Sequence, residues 1–269
     1  MIRVEFIRQL RRARTWGHIA AITIVPVLIG IANYAEQGGR RRLRRNLYEQ
    51  ATSNSLNFAI FVVLIMKDFF VMVVIASLAG ESVSGEASWG TLRYLLIRPV
   101  GRVKLVLSKL FVAAMLACVV TVLLSGIALL VGYLFFGWHD VFLVGDTGGF
   151  GFVTASVGLQ RFAIGVGYVC LISMFTVSVG IFLSTLTDST AGAVVGTIVV
   201  VATCGVLIQV PSLEGIRPLV PTNYWGRYNG IFDPVMTNDL WKGIVSSAVW
   251  STLFSVAALL RFRHKDILS

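Results

Sequence analysis

The stretch FAIFVVLIMKDFFVMVVIASLAG, residues 58–80, decides the fold class of this chain. It is an apolar run that only two charged residues interrupt, Lys67 and Asp68. A helix needs about 20 mostly apolar residues to cross the hydrocarbon core of a bilayer. The stretch therefore predicts a membrane-spanning helix with a polar feature inside it.

Comparable apolar runs recur on both sides of this stretch. Hydrophobic residues make up 56% of the 269-residue chain and charged residues 13%, whereas soluble domains average about 45–50% and about 25%. This composition excludes a soluble globular protein, and it excludes a disordered one, since disordered chains are polar. We predict an all-α integral membrane protein, a single transmembrane domain over residues 1–269. The six predicted spans cover residues 17–34, 58–80, 108–136, 162–186, 189–210 and 243–261.

The net charge of +10, from 23 Lys and Arg against 13 Asp and Glu, bears on topology. In a soluble protein it would suggest nucleic acid, but in a membrane protein basic residues collect in cytoplasmic loops. Most of the basic residues lie in segments on the same side as the N-terminus. The sequence therefore predicts a multi-pass protein of the cell membrane, with both termini cytoplasmic and no nucleic-acid partner. The basic run at residues 40–45 falls on the opposite side and has no explanation in this scheme.

Three shorter patterns concern the remaining segments. Residues 1–16 place apolar side chains along one face and arginines around it, which predicts an amphipathic interfacial helix whose guanidinium groups lie near lipid phosphates; the alternative is a solvated basic tail. Gly192 and Gly196 form a GxxxG pattern that allows close helix approach. Prolines and aromatic residues over 211–241 predict short helices or loops at the outer interface.

Motifs for chemistry on this chain are missing. Gly85 and Gly90 have the spacing of a phosphate-binding loop, but Thr91 and Leu92 stand where a lysine and a Ser or Thr are required. The scattered cysteines and histidines give no metal-ligand spacing, and no catalytic signature is present. We therefore predict no enzyme activity, no catalytic residue, no bound metal and no cofactor for this chain.

The most informative segment is the predicted cytoplasmic loop at residues 81–107. It contains a short helix-prone island, Thr91–Ile97, which ends at Arg98 and Pro99 because proline moves the preceding residue out of the helical region. Leu92, Leu95 and Leu96 lie on one side of this island. Exposed leucines on a cytoplasmic loop indicate a partner that covers them.

Residues 86–109 resemble the membrane permease subunits of type-2 ABC exporters. The loop after the second span of that family has the pattern E-x-x-x-G-T-L-x-x-L-L-x-x-P-V-x-R, followed by a lysine that opens the third span. The matching residues here are Glu86, Gly90, Thr91, Leu92, Leu95, Leu96, Pro99, Val100, Arg102 and Lys109. The departures are Gly101, the extra acid Glu81 and the arginine-rich outer loop.

The resemblance implies that this loop carries a coupling helix that docks into a separate cytoplasmic ABC ATPase. ATP and Mg²⁺ would bind to that partner, and the permease would pair with itself or with a similar permease to form an export path among membrane lipids. The alternative for the charged loop residues is an ordinary solvated loop that contacts lipid phosphates. The candidate docking residues are Glu86, Gly90, Thr91, Leu92, Arg93, Leu95, Leu96, Arg98, Pro99 and Arg102.

Lys67 and Asp68 are the intramembrane polar candidates. A charged group within a bilayer costs at least about 2.5–3.5 kcal/mol, so such residues usually face protein or water. They mark either the translocation path or a structural contact between helices, and as neighbours about 100° apart on a helix they need not pair with each other. They also support an alternative function, a secondary transporter or channel with an intramembrane ion or proton site. The transported substrate is left open.

Overall fold

The computed structural model describes residues 2–37, 53–88, 101–144, 150–233 and 239–264. Six helices in this part of the chain are long and apolar enough to cross a membrane, so the protein is an all-α membrane protein, as the composition predicts. We number them as spans in chain order. They are the helices Ala13–Gln37, Ser55–Ser88, Arg102–Phe136, Ala155–Leu186, Thr190–Leu207 and Leu240–Arg263.

The spans alternate in direction, which gives the bundle two distinct ends. The charged end is formed by the N-terminal helix Ile2–Leu10, by residues 81–88 and 101–109, and by the end of the sixth span. At this end Arg102 of the third span donates a hydrogen bond to the carbonyl of Arg263 at 3.2 Å. The predicted amphipathic segment 1–16 thus divides into a short helix and the beginning of the first span at Ala13.

The predicted loop 81–107 is shorter in the structure than the sequence indicated. The second span continues as helix to Ser88, and the third span already begins at Arg102. Serine and glutamate replace apolar residues after Gly80, but both are compatible with a helix where the neighbouring helices satisfy their polar groups. Residues 81–88 are therefore helical and largely buried, and this placement corrects the loop boundary.

The opposite end, which we call the hairpin end, contains an antiparallel β-hairpin that the sequence analysis did not predict. Its strands are Val141–Val144 and Phe150–Val153, with Val141 paired to Val153. Two 3₁₀ helices of three residues and one of eleven lie between the fifth and sixth spans, in agreement with the short helices predicted there. They are Pro211–Leu213, Arg217–Leu219 and Pro221–Ile231.

Specific caps fix the beginnings of two spans. The side chain of Asn54 accepts a hydrogen bond from the backbone N–H of Asn57 at 2.8 Å, and its amide donates to the carbonyl of Asp140 at 2.7 Å. One residue therefore begins the second span and joins it to the hairpin. Ser189 caps the fifth span by accepting from the N–H of Gly192 at 3.2 Å, which satisfies one of the free donors of a helix N-terminus.

The core lies between the second, third and fourth spans. Their most apolar windows are 44–61% buried within the chain, against 17–22% for the first, fifth and sixth spans. The second and fourth spans approach closely where a Cβ added to Gly180 would lie 2.7 Å from the Cβ of Ala79. In the GxxxG pattern the two glycines differ: Gly192 is exposed and its nearest neighbours, Ser189 and Thr187, lie 3.5 Å or more from an added Cβ, whereas a Cβ on the half-buried Gly196 would lie 3.3 Å from Leu183 of the fourth span.

Candidate functional site

An ion pair joins the two helices that flank the loop between the second and third spans. Lys109 Nζ, with a fully buried side chain, donates to Glu86 Oε1 at 2.5 Å and to the carbonyl of Ser82 at 2.7 Å. The Glu86 side chain is 2% exposed. Because 22 residues separate these two side chains along the chain while their charged atoms are in contact, the pair closes the base of the loop.

The N-terminal helix adds two more charges to this pair. Glu5 Oε1 accepts a third hydrogen bond from Lys109 Nζ at 3.1 Å. Arg8 Nη2 donates to Glu5 Oε2 at 2.5 Å and also contacts the Glu86 carboxylate. Two carboxylates and two cations thus neutralise one another, and each ammonium proton of Lys109 has an acceptor. The N-terminal helix is attached to the second and third spans through these charges.

A second group of charges lies one helical turn away, around Glu81. Its carboxylate accepts from Arg14 Nη1 at 2.7 Å and lies 3.7 Å from Arg12 Nη1. Burial lowers the pKa of the Arg12 guanidinium below its ordinary value, and the positive charge of Arg8 lowers it further, whereas Glu81 raises it. Arginine remains protonated despite such a shift, so both contacts are between full charges.

We call these residues together the charged cluster. It joins four elements: the N-terminal helix, the beginning of the first span, the end of the second span and the beginning of the third. Attraction between charges is stronger away from water, so a rigid-body movement of one element is resisted by the others. Its members are Glu5, Arg8, Arg12, Arg14, Glu81, Glu86 and Lys109.

The sequence-predicted docking residues fall into two groups. Arg102 is exposed at the beginning of the third span, a position open to a partner. Glu86 was expected on the docking surface, but it is buried in the charged cluster because Lys109 and Arg8 surround its carboxylate. The others lie outside the described residues; they are Gly90, Thr91, Leu92, Arg93, Leu95, Leu96, Arg98 and Pro99.

The intramembrane residues Lys67 and Asp68 do contact each other. Lys67 Nζ lies 2.6 Å from Asp68 Oδ1, although the sequence analysis noted that neighbours on a helix need not pair. The reason is local: Lys67–Val71 forms a π-helical turn inside the second span, which changes the angle between successive side chains. Such turns are rare in proteins overall, but many of those that occur are at functional sites.

The two charges of this pair have different surroundings. The Lys67 side chain is 2% exposed, and its ammonium lies 5.7 Å from the centre of the Tyr228 ring. The Asp68 side chain is 55% exposed on the outside of the bundle. Beside them is a cavity of about 10 Å³, and Ser173 and Thr176 are among the residues that line it. The pair is thus a buried cation tied to a carboxylate at the surface of a membrane-spanning bundle.

This asymmetry leads to a prediction for two matched variants. Asp68→Asn should destabilise the protein by about 2 kcal/mol, because it leaves the buried Lys67 ammonium without its carboxylate. Lys67→Met should cost less, since the remaining Asp68 is already accessible. Thermal unfolding of both variants and of the double variant in one detergent measures the difference. Equal losses for the two single variants would contradict the prediction.

Several members of the charged cluster were not identified from the sequence as a site. Glu5, Arg8 and Glu81 were interpreted as parts of an amphipathic helix and of a loop. A usable signal existed: Glu5 is an acid on an otherwise strongly basic segment, and Glu81 and Glu86 lie at the close of an apolar run. Their pairing joins residues up to 104 positions apart, a distance over which periodicity carries no information.

Comparison with known proteins supplies a family and no activity. No curated protein matches the chain. A family model described as "Protein of unknown function (DUF2705)" matches residues 23–268. The match covers all six spans except the first ten residues of the first one. The chain is therefore a member of the DUF2705 family.

Proposed function

We propose that this protein is the permease subunit of an ATP-driven ABC exporter, working with a separate cytoplasmic ATPase. The observation that carries the proposal is the Glu86–Lys109 ion pair at the base of the segment whose sequence resembles an ABC coupling loop. Both residues belong to the motif quoted above. A loop that transmits force needs a rigid base, and this pair supplies one together with the N-terminal helix.

The mechanism follows from where the charges lie. The chain lacks the lysine of a phosphate-binding loop, so ATP and Mg²⁺ would be held by the partner. Closure of the ATPase would displace the docked leucines of the loop. The charged cluster would then move the second span, the third span and the N-terminal helix as one unit. The permease contributes the path and the coupling, while the hydrolytic chemistry takes place in the ATPase.

The exposure of Asp68 supports a path at a permease–permease interface. A half-exposed carboxylate on a face turned to lipid would be costly, so water or protein is expected beside it. The first, fifth and sixth spans bury little of their apolar surface within the chain, which leaves room for a second copy or a similar permease. In this proposal the charged end faces the cytoplasm of the cell membrane, and the surrounding lipids are its other partners.

We expect a neighbouring coding sequence to carry GxxxxGK[ST], the phosphate-binding loop of an ATPase, and that protein would serve to test the docking surface. The wild-type permease should co-purify with it after co-expression. The double variant Leu95→Asp/Leu96→Asp should lose at least about tenfold in captured ATPase, because two buried carboxylates would oppose docking. Quantitative mass spectrometry of the purified complex measures the ratio.

The matched control places the same change at the other end of the bundle. Ile216→Asp/Leu219→Asp alters two residues that are 51% and 66% exposed at the hairpin end, and it should leave capture unchanged. If the two double variants captured equal amounts of ATPase, docking at the loop would be contradicted. Absence of any neighbouring ATPase that binds the wild-type chain would contradict the function itself.

A second candidate function rests on the Lys67–Asp68 pair. A buried ammonium tied to an accessible carboxylate in a π-helical turn is also an arrangement that a proton- or ion-coupled secondary transporter or a channel could use. Purified chain in sealed vesicles separates the two functions. We expect no ion-gradient-driven flux without the ATPase. Flux that persists without it and disappears in Asp68→Asn would favour the second function.

A further inference from the structure

A large apolar groove lies on the outside of the bundle between the third and sixth spans. Its volume is about 910 Å³, and its floor is formed by the fourth span through Met174 and Val177. This volume is within the range of about 300–1,000 Å³ found for small-molecule sites. The walls include Phe111 and Val256, which are 55% and 47% exposed, so the groove opens to the membrane-facing surface.

The charged end of this groove carries two cations. Arg3 of the N-terminal helix and Lys104 of the third span both line it, and both are exposed. Neither forms an ion pair within the described part of the chain, in contrast to Arg8, Arg12 and Arg14. The lining contains no acidic residue. The groove therefore has an apolar body and a positively charged mouth.

A hydroxyl group adds to this polarity along one wall. Ser251 of the sixth span lines the groove, and its Oγ has no hydrogen-bond partner among the described residues. Ser108 and Thr252 also line it, but their hydroxyls donate to carbonyls of their own helices. The polar groups are thus few and lie among apolar side chains, which is the usual composition of a site that orients an amphipathic ligand.

We propose that this groove binds one anionic phospholipid, its acyl chains along the third and sixth spans and its phosphate between Arg3 and Lys104. Basic pockets between membrane helices bind the headgroups of anionic lipids. The groove opens to the bilayer, where phospholipids are the surrounding molecules. The site shares no lining residue with the Lys67–Asp68 cavity, and it would bind lipid without an ATPase, so it does not depend on the proposed transport function.

The role of the two cations, Arg3 and Lys104, is tested by lipid competition on the full-length protein in detergent. Native mass spectrometry with phosphatidylglycerol and phosphatidylcholine of the same acyl chains measures the preference of the first bound lipid. The variant Arg3→Gln/Lys104→Gln should reduce the preference for phosphatidylglycerol by about 30-fold, as expected for two interfacial cations. Arg11→Gln/Arg261→Gln removes two exposed charges outside the groove lining and should leave it unchanged.

The groove itself is tested by filling it. Ser255→Phe places a ring among the lining residues and should remove the bound lipid whichever headgroup it has. Retention of the phosphatidylglycerol preference in the charge variant, or of the bound lipid in Ser255→Phe, would overturn the proposal. If Ser255→Phe instead converts dimers to monomers without changing lipid binding, a second copy covers the groove and the lipid site is wrong.

Discussion

Lys109→Met is expected to destabilise the protein by about 3–5 kcal/mol, the cost of leaving a buried charge without its partner. The Lys109 ammonium contacts Glu5, Glu86 and the carbonyl of Ser82 at the same time. Without it, two buried carboxylates would face each other with only Arg8 between them. The temperature of half-unfolding in a fixed detergent, followed by gel filtration, measures the loss.

The expected loss of stability is large because the charge of Lys109 is buried. The Lys109 side chain has no exposed surface, so water cannot replace the ammonium when it is removed. Methionine retains the length and the apolar contacts of the lysine stem, so the change isolates the charge. We also expect the N-terminal helix to separate from the bundle and become sensitive to protease, since Glu5 would lose one of its two cations.

Two further variants make this prediction specific. Lys109→Met/Glu86→Gln removes one charge of each sign and should recover most of the lost stability, because contacting residues are not additive. Arg261→Met removes an exposed cation from the same end of the bundle, outside both the charged cluster and the groove, and should cause no measurable change. A double variant as unstable as Lys109→Met alone would show that the packing of the lysine stem, and not its charge, stabilises this end.

Gly132→Leu is the second variant with a large expected effect, a loss of about 3 kcal/mol from overpacking. A Cβ at Gly132 of the third span would lie 2.6 Å from the carbonyl oxygen of Ser55 and 2.9 Å from its Cα. These are backbone atoms at the start of the second span, and they cannot rotate away. The backbone there is held further by the hydrogen bond from the Ser55 N–H to the carbonyl of Gly137 at 3.0 Å.

The matched control for this variant is Gly126→Leu in the same helix. No atom lies within 4 Å of a Cβ added at Gly126, and the residue is exposed on the membrane-facing side. Leucine has a better helix propensity than glycine by about 1 kcal/mol, so this variant should be neutral or slightly stabilising. Equal unfolding temperatures for the two leucine variants would contradict the close packing of the second and third spans.

The six spans could be predicted because the bilayer imposes a length and a composition on each of them. What the sequence did not reveal were their ends. Residues 81–88 contain serines and glutamates, which hydropathy assigns to a loop, but they continue the second span as helix. Their polar groups are satisfied by other spans, as where Ser184 Oγ accepts from the N–H groups of Val83 and Ser84. That compensation involves residues about a hundred positions away.

In the candidate site too, the sequence revealed the residues but not their contacts. Glu86 and Lys109 were visible as members of a motif, and Lys67 and Asp68 as charges in an apolar run. Their contacts were not visible in the sequence: Glu86 is buried against Lys109, and Lys67 pairs with Asp68 in a π-helical turn. Helix packing was only partly visible in the sequence, since Gly192 of the GxxxG pattern is exposed while Gly132, which no pattern marked, makes a tight approach.

The sequence by itself therefore determined that this is a membrane protein and how many spans it has, because both follow from local hydropathy. Only the tertiary structure decided which charges neutralise one another. Glu5 and Lys109 lie 104 residues apart in sequence and 3.1 Å apart in space. Ion pairing depends on the distance between atoms, and that distance exists only after the N-terminal helix has packed against the second and third spans.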